Sequence, residues 1–150
     1  MPQSLSKLYV HLVFSTKNRD RLLAADDSPD LHAYIGGTLK GMGCVPVEIN
    51  TEPDHAHILF LIGRTNALSD IVGGVKKSAT DWLRAKSPRY KGFHWQAGYG
   101  GFSVGQSAVE EVREYIRNQH EHHRVKTFQE EYRSFLKKYE IEYDERYVWD

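Results

Sequence analysis

The alternation of apolar and polar residues predicts three β-strands in the first half of the chain. Residues 7–15 alternate with a period of two, which is typical of a strand. Residues 45–49 alternate in the same way, and the mainly apolar residues 55–62 follow them after the turn pair Pro53 and Asp54. We therefore predict that the second and third strands form an antiparallel hairpin.

Helical spacing of apolar residues predicts two helices between and after these strands. Ser28 followed by Pro29 is a helix start, and the helical spacing ends at Gly41. A second helix begins near Asn66 or Ser69. Its apolar side consists of Leu68, Ile71, Val72, Val75, Ala79 and Trp82.

Two capping boxes predict two more helices in the last third of the chain. Ser107 with Glu110 matches the pattern in which each side chain reaches the other residue's free backbone amide. Thr127 with Glu130 repeats this pattern. Each pair precedes apolar residues at helical spacing, so we predict that a helix begins at each box.

The order of the elements indicates the fold class. Short strands are predicted at residues 93–97 and 101–104, so the order is β, α, ββ, α, then short strands and two helices. This order is typical of an antiparallel sheet covered by helices, an α+β sandwich. The length of 150 residues is that of one domain, which we assign to residues 1–150.

Composition excludes several classes of protein. No apolar run approaches the roughly 18 residues that would span a bilayer, so we expect a cytoplasmic protein without a membrane partner. The single cysteine, Cys44, excludes an intramolecular disulfide framework and a metal site with two thiolates. Residues 73–78 lack the spacing of a phosphate-binding loop, so no nucleotide cofactor is predicted.

Charge is balanced over the whole chain but not within it. The net charge of zero argues against a protein that binds nucleic acid by charge alone. Residues 76–101, however, hold six basic residues against one acidic residue. Basic and aromatic residues together suit single-strand binding, while the alternative is a solvated helix face and a surface loop. The candidate DNA contacts are Lys76, Lys77, Arg84, Lys86, Arg89, Lys91, Trp82 and Trp95.

Two histidines in the third strand are the first candidates for chemistry. His55 and His57 are two residues apart, so both imidazoles lie on the same face of the strand and can chelate one metal ion. The neighbouring residues are apolar, which indicates a central strand. The alternative is a pair of core histidines that are hydrogen-bonded to the backbone.

The third helix offers a further ligand and a nucleophile. Tyr115 and Gln119 are four residues apart and therefore lie on one helix face. In the functional interpretation, Tyr115 is an attacking phenol and Gln119 is an oxygen ligand. The alternative is that both side chains pack in the core and that the tyrosine hydroxyl has a hydrogen-bond partner. His120, His122 and His123 follow, and we interpret them as a charge cluster at the end of the helix, with ligation or phosphate contact as alternatives.

Six segments together carry a family resemblance: residues 9–17, 53–57, 95–100, 102–104, 115–123 and 142–147. In this order they resemble the single-tyrosine HUH transposases of minimal bacterial insertion sequences, the IS200-like and REP-associated tyrosine transposases. The term HUH means histidine, hydrophobic residue, histidine, and Ala56 fills the middle position as a small member.

The resemblance implies a homodimer that cuts and rejoins single-stranded DNA at insertion-sequence ends and recognises DNA hairpins near the cleavage site. It implies a ferredoxin-like, or RRM-like, sheet. Carried over by position, His55, His57 and Gln119 would be metal ligands and Tyr115 the nucleophile. It also implies active sites that are often composite, with the tyrosine helix of one subunit facing the histidines of the other.

The chemistry of these residues fits that assignment. A phenol has a pKa of about 10, so it needs a base or a cation to attack a phosphodiester at neutral pH. Two neutral imidazoles and one neutral amide would leave the ion its full charge, and open coordination favours Mg²⁺ or Mn²⁺ over a closed zinc site. The product would be a 5′-phosphotyrosine, and rejoining would need no ATP.

Two other functions remain open at this point. One is a non-catalytic RRM-like module that binds single strands through Trp82, Phe93, Trp95 and the basic stretch. A module of this kind has no need of two histidines, a tyrosine and a glutamine in one arrangement. The other is a domesticated relative that nicks repeats in its host genome, which has the same chemistry.

Overall fold

The computed structural model describes residues 2–150 and consists of one four-stranded sheet with helices on both faces. None of the helices in this part of the chain combines the length and the apolar character needed to cross a bilayer. The strands and helices, in chain order, are β1 (Leu8–Ser15), α1 (Ser28–Gly41), β2 (Val45–Glu52), β3 (His55–Ile62), α2 (Leu68–Lys86), β4 (Gly100–Val104), α3 (Val109–Arg117), α4 (Gln119–His122) and α5 (Phe128–Lys138).

The sheet has the strand order β2-β3-β1-β4, and every neighbouring pair is antiparallel. Helix α1 follows β1, helix α2 follows β3, and β2 and β3 form the predicted hairpin. This βαββαβ arrangement is the ferredoxin-like, or RRM-like, topology. The predicted α+β fold class is therefore confirmed.

The two faces of the sheet have different partners. One face carries Leu12 and Phe14 of β1 with Ile58 and Phe60 of β3, and α1 and α2 cover it to form the main core. The opposite face carries His55 and His57, and it packs against α3 and α5 in two smaller apolar clusters. Because strand residues alternate between faces, the histidines lie away from α2.

Two local predictions are wrong. Residues 93–97 do not form a strand, because only Trp95 pairs with the sheet, through an isolated bridge to Thr16. Ser107 does not cap a helix, because residues 106–108 form a short 3₁₀ turn and α3 begins at Val109 with no side-chain cap. The box of Thr127 and Glu130 is confirmed, and it starts α5.

The predicted third helix is divided at Asn118. Helix α3 ends at Arg117, and Gln119 begins the short α4. The side chain of Asn50 on β2 donates a hydrogen bond to the carbonyl of Ile116, 2.8 Å away, at the end of α3. After the break, Gln119 contacts His55 of β3 and His123 contacts Glu131 of α5.

The C-terminal segment packs on this same side of the sheet. Val148 and Trp149 contact the cluster around Phe128. The carbonyl oxygen of Asp150 accepts a hydrogen bond from the amide of Gly98, 2.8 Å away. Residues 148–150 therefore pack on the domain.

Candidate active site

His55 and His57 lie side by side on β3, as the strand period predicts. Their relative exposures are 0% and 1%, and their ring centroids are 5.2 Å apart. Two buried imidazoles need polar partners, because an unpaired polar group in a sheet core is costly. The partners of each ring nitrogen therefore decide between a core pair and a ligand pair.

The Nδ1 atoms of both rings have partners outside the space between them. His55 Nδ1 is 2.6 Å from a carboxylate oxygen of Asp54, and His57 Nδ1 is 2.8 Å from Nε2 of His11 on β1. A metal ion would be bound by the Nε2 lone pairs, with the ring protons on both Nδ1 atoms, whereas without an ion Nε2 of His57 carries a proton and donates to Glu131. Histidines that bind metals have this arrangement, in which the second ring nitrogen is oriented by a hydrogen-bond acceptor.

The Nε2 atoms converge on a carboxylate that the sequence did not single out. Glu131 of α5 is 1% exposed. Its Oε1 atom lies 2.9 Å from Nε2 of His57, 3.2 Å from Nε2 of His123 and 3.7 Å from Nε2 of His55. One donor atom from each of these four residues falls within 4.8 Å of the others.

Gln119 lies at the same point. Its Oε1 atom is 2.9 Å from Nε2 of His123 and 3.4 Å from Nε2 of His55. Gln119 is fully buried, and its amide nitrogen is 3.4 Å from the carbonyl of Tyr115 one turn earlier. The break at Asn118 therefore places the glutamine beside the histidine pair.

The donor atoms fit a divalent metal ion. With bonds of about 2.1 Å to one ion, neighbouring ligand atoms are about 3 Å apart. The distances from Glu131 Oε1 to His57 and His123, and from Gln119 Oε1 to His123, are in this range. The carboxylate of Glu131, a charged group that is not in the predicted set of His55, His57 and Gln119, also lies among these atoms.

Tyr115 reaches the same carboxylate from α3. It is half-buried, and its hydroxyl donates a hydrogen bond to Oε2 of Glu131. Its ring stacks on His122 at a centroid distance of 4.5 Å and lies 6.1 Å from the ring of His57. Within a single chain, the candidate nucleophile and the candidate ligands therefore form one cluster.

Burial and the carboxylate set the protonation of the cluster. Burial lowers the pKa of His57, and the nearby charge of Glu131 opposes this only in part. For Glu131 burial acts to raise the pKa, but the attraction of His57 and hydrogen bonds from His123, His57 and Tyr115 outweigh it, so the pKa is lowered. Burial and the charge of Glu131 raise the pKa of the Tyr115 phenol. The phenol therefore stays protonated unless a cation is close.

The three histidines after Gln119 have different positions. His123 is part of the cluster, so metal ligation, one of the alternatives for these histidines, stays a prediction for it. His122 stacks on Tyr115. His120 is exposed, and its Nδ1 atom is 3.8 Å from a carboxylate oxygen of Glu52. Only the fold separates these positions, because the three residues lie within four consecutive residues of the chain.

Two members of the site were missed in the sequence. Glu131 follows Phe128 by three residues and precedes Phe135 by four, so it occupies an apolar position of an amphipathic helix. A carboxylate at such a position is a signal of a buried site. His11 lies two residues before Val13 and therefore on the same face of β1, which is a weaker signal of a functional site.

The basic stretch makes mainly structural contacts. The Nζ atom of Lys76 donates hydrogen bonds to the carbonyls of Gln96 and Gly98, and Arg84 donates to the carbonyl of Phe93. Trp95 is 8% exposed and packs edge-on against Phe14 and Phe93. Trp95 thus has no free face for stacking on a base.

The remaining candidates in that stretch are more accessible. Trp82 is half-buried beside Tyr34, at a centroid distance of 6.1 Å, and Lys86 lies over its ring. Arg89 donates to the carbonyl of Leu22. Lys77 and Lys86 are exposed on α2, and Arg89 and Lys91 are exposed just after it, but α2 lies on the face of the sheet opposite the histidines. Their contact with DNA stays a prediction.

A different set of basic residues lies beside the cluster. An open cleft of about 810 Å³ reaches His123 and is bordered by Arg19, Arg21, Arg124 and Lys126. Two acidic residues, Glu52 and Asp54, also line it. A second cleft of about 370 Å³ borders Tyr115 and Glu131. One cleft therefore reaches His123 and the other reaches Tyr115 and Glu131, while His55 and His57 are buried.

Comparisons with known proteins agree on one family. The family described as "Transposase IS200 like" matches residues 4–119. The chain is 22% identical over 120 residues to the ISDra2 transposase TnpA of Deinococcus radiodurans, an alignment that covers 77% of this chain and 86% of the relative.

Two solved structures share the fold. A protein from Deinococcus radiodurans described as a transposase superposes with a TM-score of 0.61 at 23% identity, covering 79% of this chain and 98% of that one. A REP-associated tyrosine transposase bound to a REP hairpin superposes with a TM-score of 0.59 at 14% identity, covering 82% of this chain and 73% of that one.

Proposed function

Because this chain belongs to the IS200-like transposase family and is therefore a DNA transposase, we propose that it cuts and rejoins single-stranded DNA through a covalent bond to Tyr115. One observation carries the proposal. The Nε2 atoms of His55 and His57 converge on the carboxylate that binds the Tyr115 hydroxyl, while their Nδ1 atoms are held from outside. The whole arrangement lies within residues 1–150, which we propose act as one domain.

We expect His55, His57 and Gln119 to hold Mg²⁺ or Mn²⁺. The expectation is supported by imidazole nitrogens and oxygen donors whose separations are close to those between neighbouring ligand atoms on one ion. A bound ion would supply positive charge that polarises the scissile phosphate, stabilises the leaving 3′ oxygen and favours ionisation of the nearby Tyr115 phenol. Burial raises the pKa of that phenol.

We propose that the phenol oxygen of Tyr115 attacks a DNA phosphorus atom. The bond from phosphorus to the 3′ oxygen breaks, a 5′-phosphotyrosine forms, and the proton from the phenol is finally taken up by the 3′ oxygen. The reverse reaction with another 3′ hydroxyl rejoins the strand. One phosphodiester replaces another at each step, so no ATP is needed.

The cleft beside His123 offers a path for the DNA strand. Arg19, Arg21, Arg124 and Lys126 can contact phosphates as the strand approaches the metal centre. The REP-associated relative is described as bound to a hairpin, which supports hairpin recognition in this chain as well. We propose a homodimer that acts on insertion-sequence ends in the cytoplasm, where the DNA is present.

A covalent-adduct assay tests the proposal. The full-length protein is incubated with Mn²⁺ and labelled single-stranded oligonucleotides from the DNA that flanks its gene, and adducts are resolved by denaturing electrophoresis. We expect an adduct with the wild type and with Tyr143→Phe, whose tyrosine is 42% exposed. We expect none with Tyr115→Phe, because only the attacking oxygen is lost. An adduct at the wild-type level in Tyr115→Phe would refute the nucleophile assignment.

A further inference from the structure

We infer that Glu131 bridges the nucleophile and the metal, with Oε1 as a metal ligand and Oε2 as the acceptor that holds the Tyr115 hydroxyl. The inference rests on the proposed function, because it needs a metal ion at His55 and His57. The inference extends the proposed ligands by a carboxylate from α5, and the same carboxylate also holds the nucleophile. Glu131 thus becomes a positioning residue for the phenol.

The burial of Glu131 requires an explanation of this kind. Its neighbours on the buried face of α5 are Phe128, Tyr132 and Phe135, and its own exposure is 1%. A carboxylate at a position that packing would fill with an apolar side chain is costly unless it is paired. The box of Thr127 and Glu130 fixes the start of α5 and so fixes where this carboxylate enters the site.

The two oxygens of the carboxylate have separate partners. Oε1 faces the Nε2 atoms of His57 and His123, at 2.9 and 3.2 Å, and that of His55 at 3.7 Å. Oε2 faces away from these rings and accepts the hydrogen bond of the Tyr115 hydroxyl. An ion among the Nε2 atoms is therefore in reach of Oε1 while the phenol stays on Oε2.

This geometry predicts two effects on metal affinity. First, a carboxylate is a charged oxygen ligand, so replacing it by an amide weakens the binding of a hard divalent ion. Second, the hydrogen bond on Oε2 draws electron density from the carboxylate, so its removal makes Oε1 a stronger donor. The second effect exists only if one carboxylate contacts both groups.

The first effect is measured by titrating Mn²⁺ into the full-length protein without DNA, with the electron paramagnetic resonance signal of free Mn²⁺ as the readout. We expect Glu131→Gln, which keeps the shape of the side chain, to weaken binding about tenfold or more. The control Glu114→Gln removes the same charge from the exposed residue next to Tyr115 and should leave affinity unchanged. Unchanged affinity in Glu131→Gln, with a native circular dichroism spectrum, would overturn the inference.

The second effect is measured by adding Tyr115→Phe to both backgrounds. In the wild-type background we expect Tyr115→Phe to tighten Mn²⁺ binding at least about twofold. This factor corresponds to the lower end of the coupling free energies that are found between residues in contact. In the Glu131→Gln background we expect the substitution to have no effect. An equal effect in both backgrounds, or none in either, would show that Glu131 does not bridge.

Glu131→Asp provides a second variant in case the amide disturbs the fold. The aspartate side chain keeps the charge but is one methylene shorter, so we expect it to contact either the metal ion or the Tyr115 hydroxyl and not both. We expect Mn²⁺ binding between the wild type and Glu131→Gln, with the effect of Tyr115→Phe lost. Retention of the full effect of Tyr115→Phe in Glu131→Asp would contradict the bridge.

His57→Ala separates this inference from the proposed function. If His57→Ala abolishes Mn²⁺ binding while Glu131→Gln binds as the wild type does, the metal centre stands and the role of Glu131 is wrong. If His57→Ala binds Mn²⁺ as the wild type does, or the wild type binds none, the proposed metal centre fails and the bridge fails with it.

Discussion

The hydroxyl of Tyr115 on α3 donates a hydrogen bond to Glu131 on α5, and this contact joins the tyrosine to the histidines of its own chain. Glu131 is in turn 2.9 Å from His57 on β3. Three elements that are distant in sequence thus meet within one subunit. The family resemblance implies sites that often combine two subunits, so the arrangement within one chain leads to a different expectation for mixed dimers.

We predict that mixing Tyr115→Phe and His57→Ala proteins does not restore adduct formation. In an arrangement within one chain, every site in a mixed dimer lacks either the nucleophile or a ligand. The measurement is the adduct assay after subunit exchange, and exchange itself is verified by pull-down with two different tags. Recovery of up to about half the wild-type adduct would instead show that the tyrosine acts across the dimer.

We also predict that the two classes of ligand differ in strength. His57→Ala should abolish metal-dependent cleavage, while Gln119→Ala should reduce it less, because an amide is a weaker ligand than an imidazole. The check is cleavage measured across a Mn²⁺ titration, in which higher Mn²⁺ restores part of the activity of Gln119→Ala. Unchanged Mn²⁺ dependence in both variants would refute the site.

The sequence predicts the fold well because its signals are local. Period-two strands and helical spacing predict the sheet and the main helices, and the turn at Pro53 and Asp54 predicts the hairpin. The errors occur where local signals are weak or compete. The backbone of Ser107 enters a 3₁₀ turn, so α3 begins only at Val109.

The candidate site could be predicted only in part. His55 and His57 share a face because they share a strand, which is a local relationship. The approach of His123 and Glu131 depends on the break at Asn118 and on how α5 packs against the sheet. No spacing rule predicts contacts that tertiary packing creates between separate elements.

We predict that single-stranded DNA passes along the cleft and not along α2. Arg21→Ala and Arg124→Ala, on residues that border the cleft, should each weaken binding and reduce the slope of log affinity against log salt by about one. Lys91→Ala is the matched control, since this exposed lysine belongs to the basic stretch after α2. Fluorescence anisotropy at several salt concentrations gives both values. Weaker binding in Lys91→Ala alone would place the DNA on the opposite face.

The last prediction concerns a contact that stabilises the fold away from the site. The hydroxyl of Tyr90 donates a hydrogen bond to a carboxylate oxygen of Asp27, 2.5 Å away, and accepts one from the amide of Ala24 at 3.1 Å. Tyr90→Phe should lower the free energy of unfolding by about 1.5 kcal/mol at pH 8.

Burial and the hydrogen bond to Asp27 raise the pKa of Tyr90 in the folded state. The stabilisation is therefore complete below the unfolded pKa of about 10 and is lost as the pH rises through the folded pKa. Urea unfolding of wild type and Tyr90→Phe at pH 8 and about pH 10.5 should show the difference between the two proteins shrinking at the higher pH. Tyr143→Phe, on an exposed tyrosine, should differ little from wild type at either pH, and a Tyr90 effect that grows with pH would contradict the assigned shift.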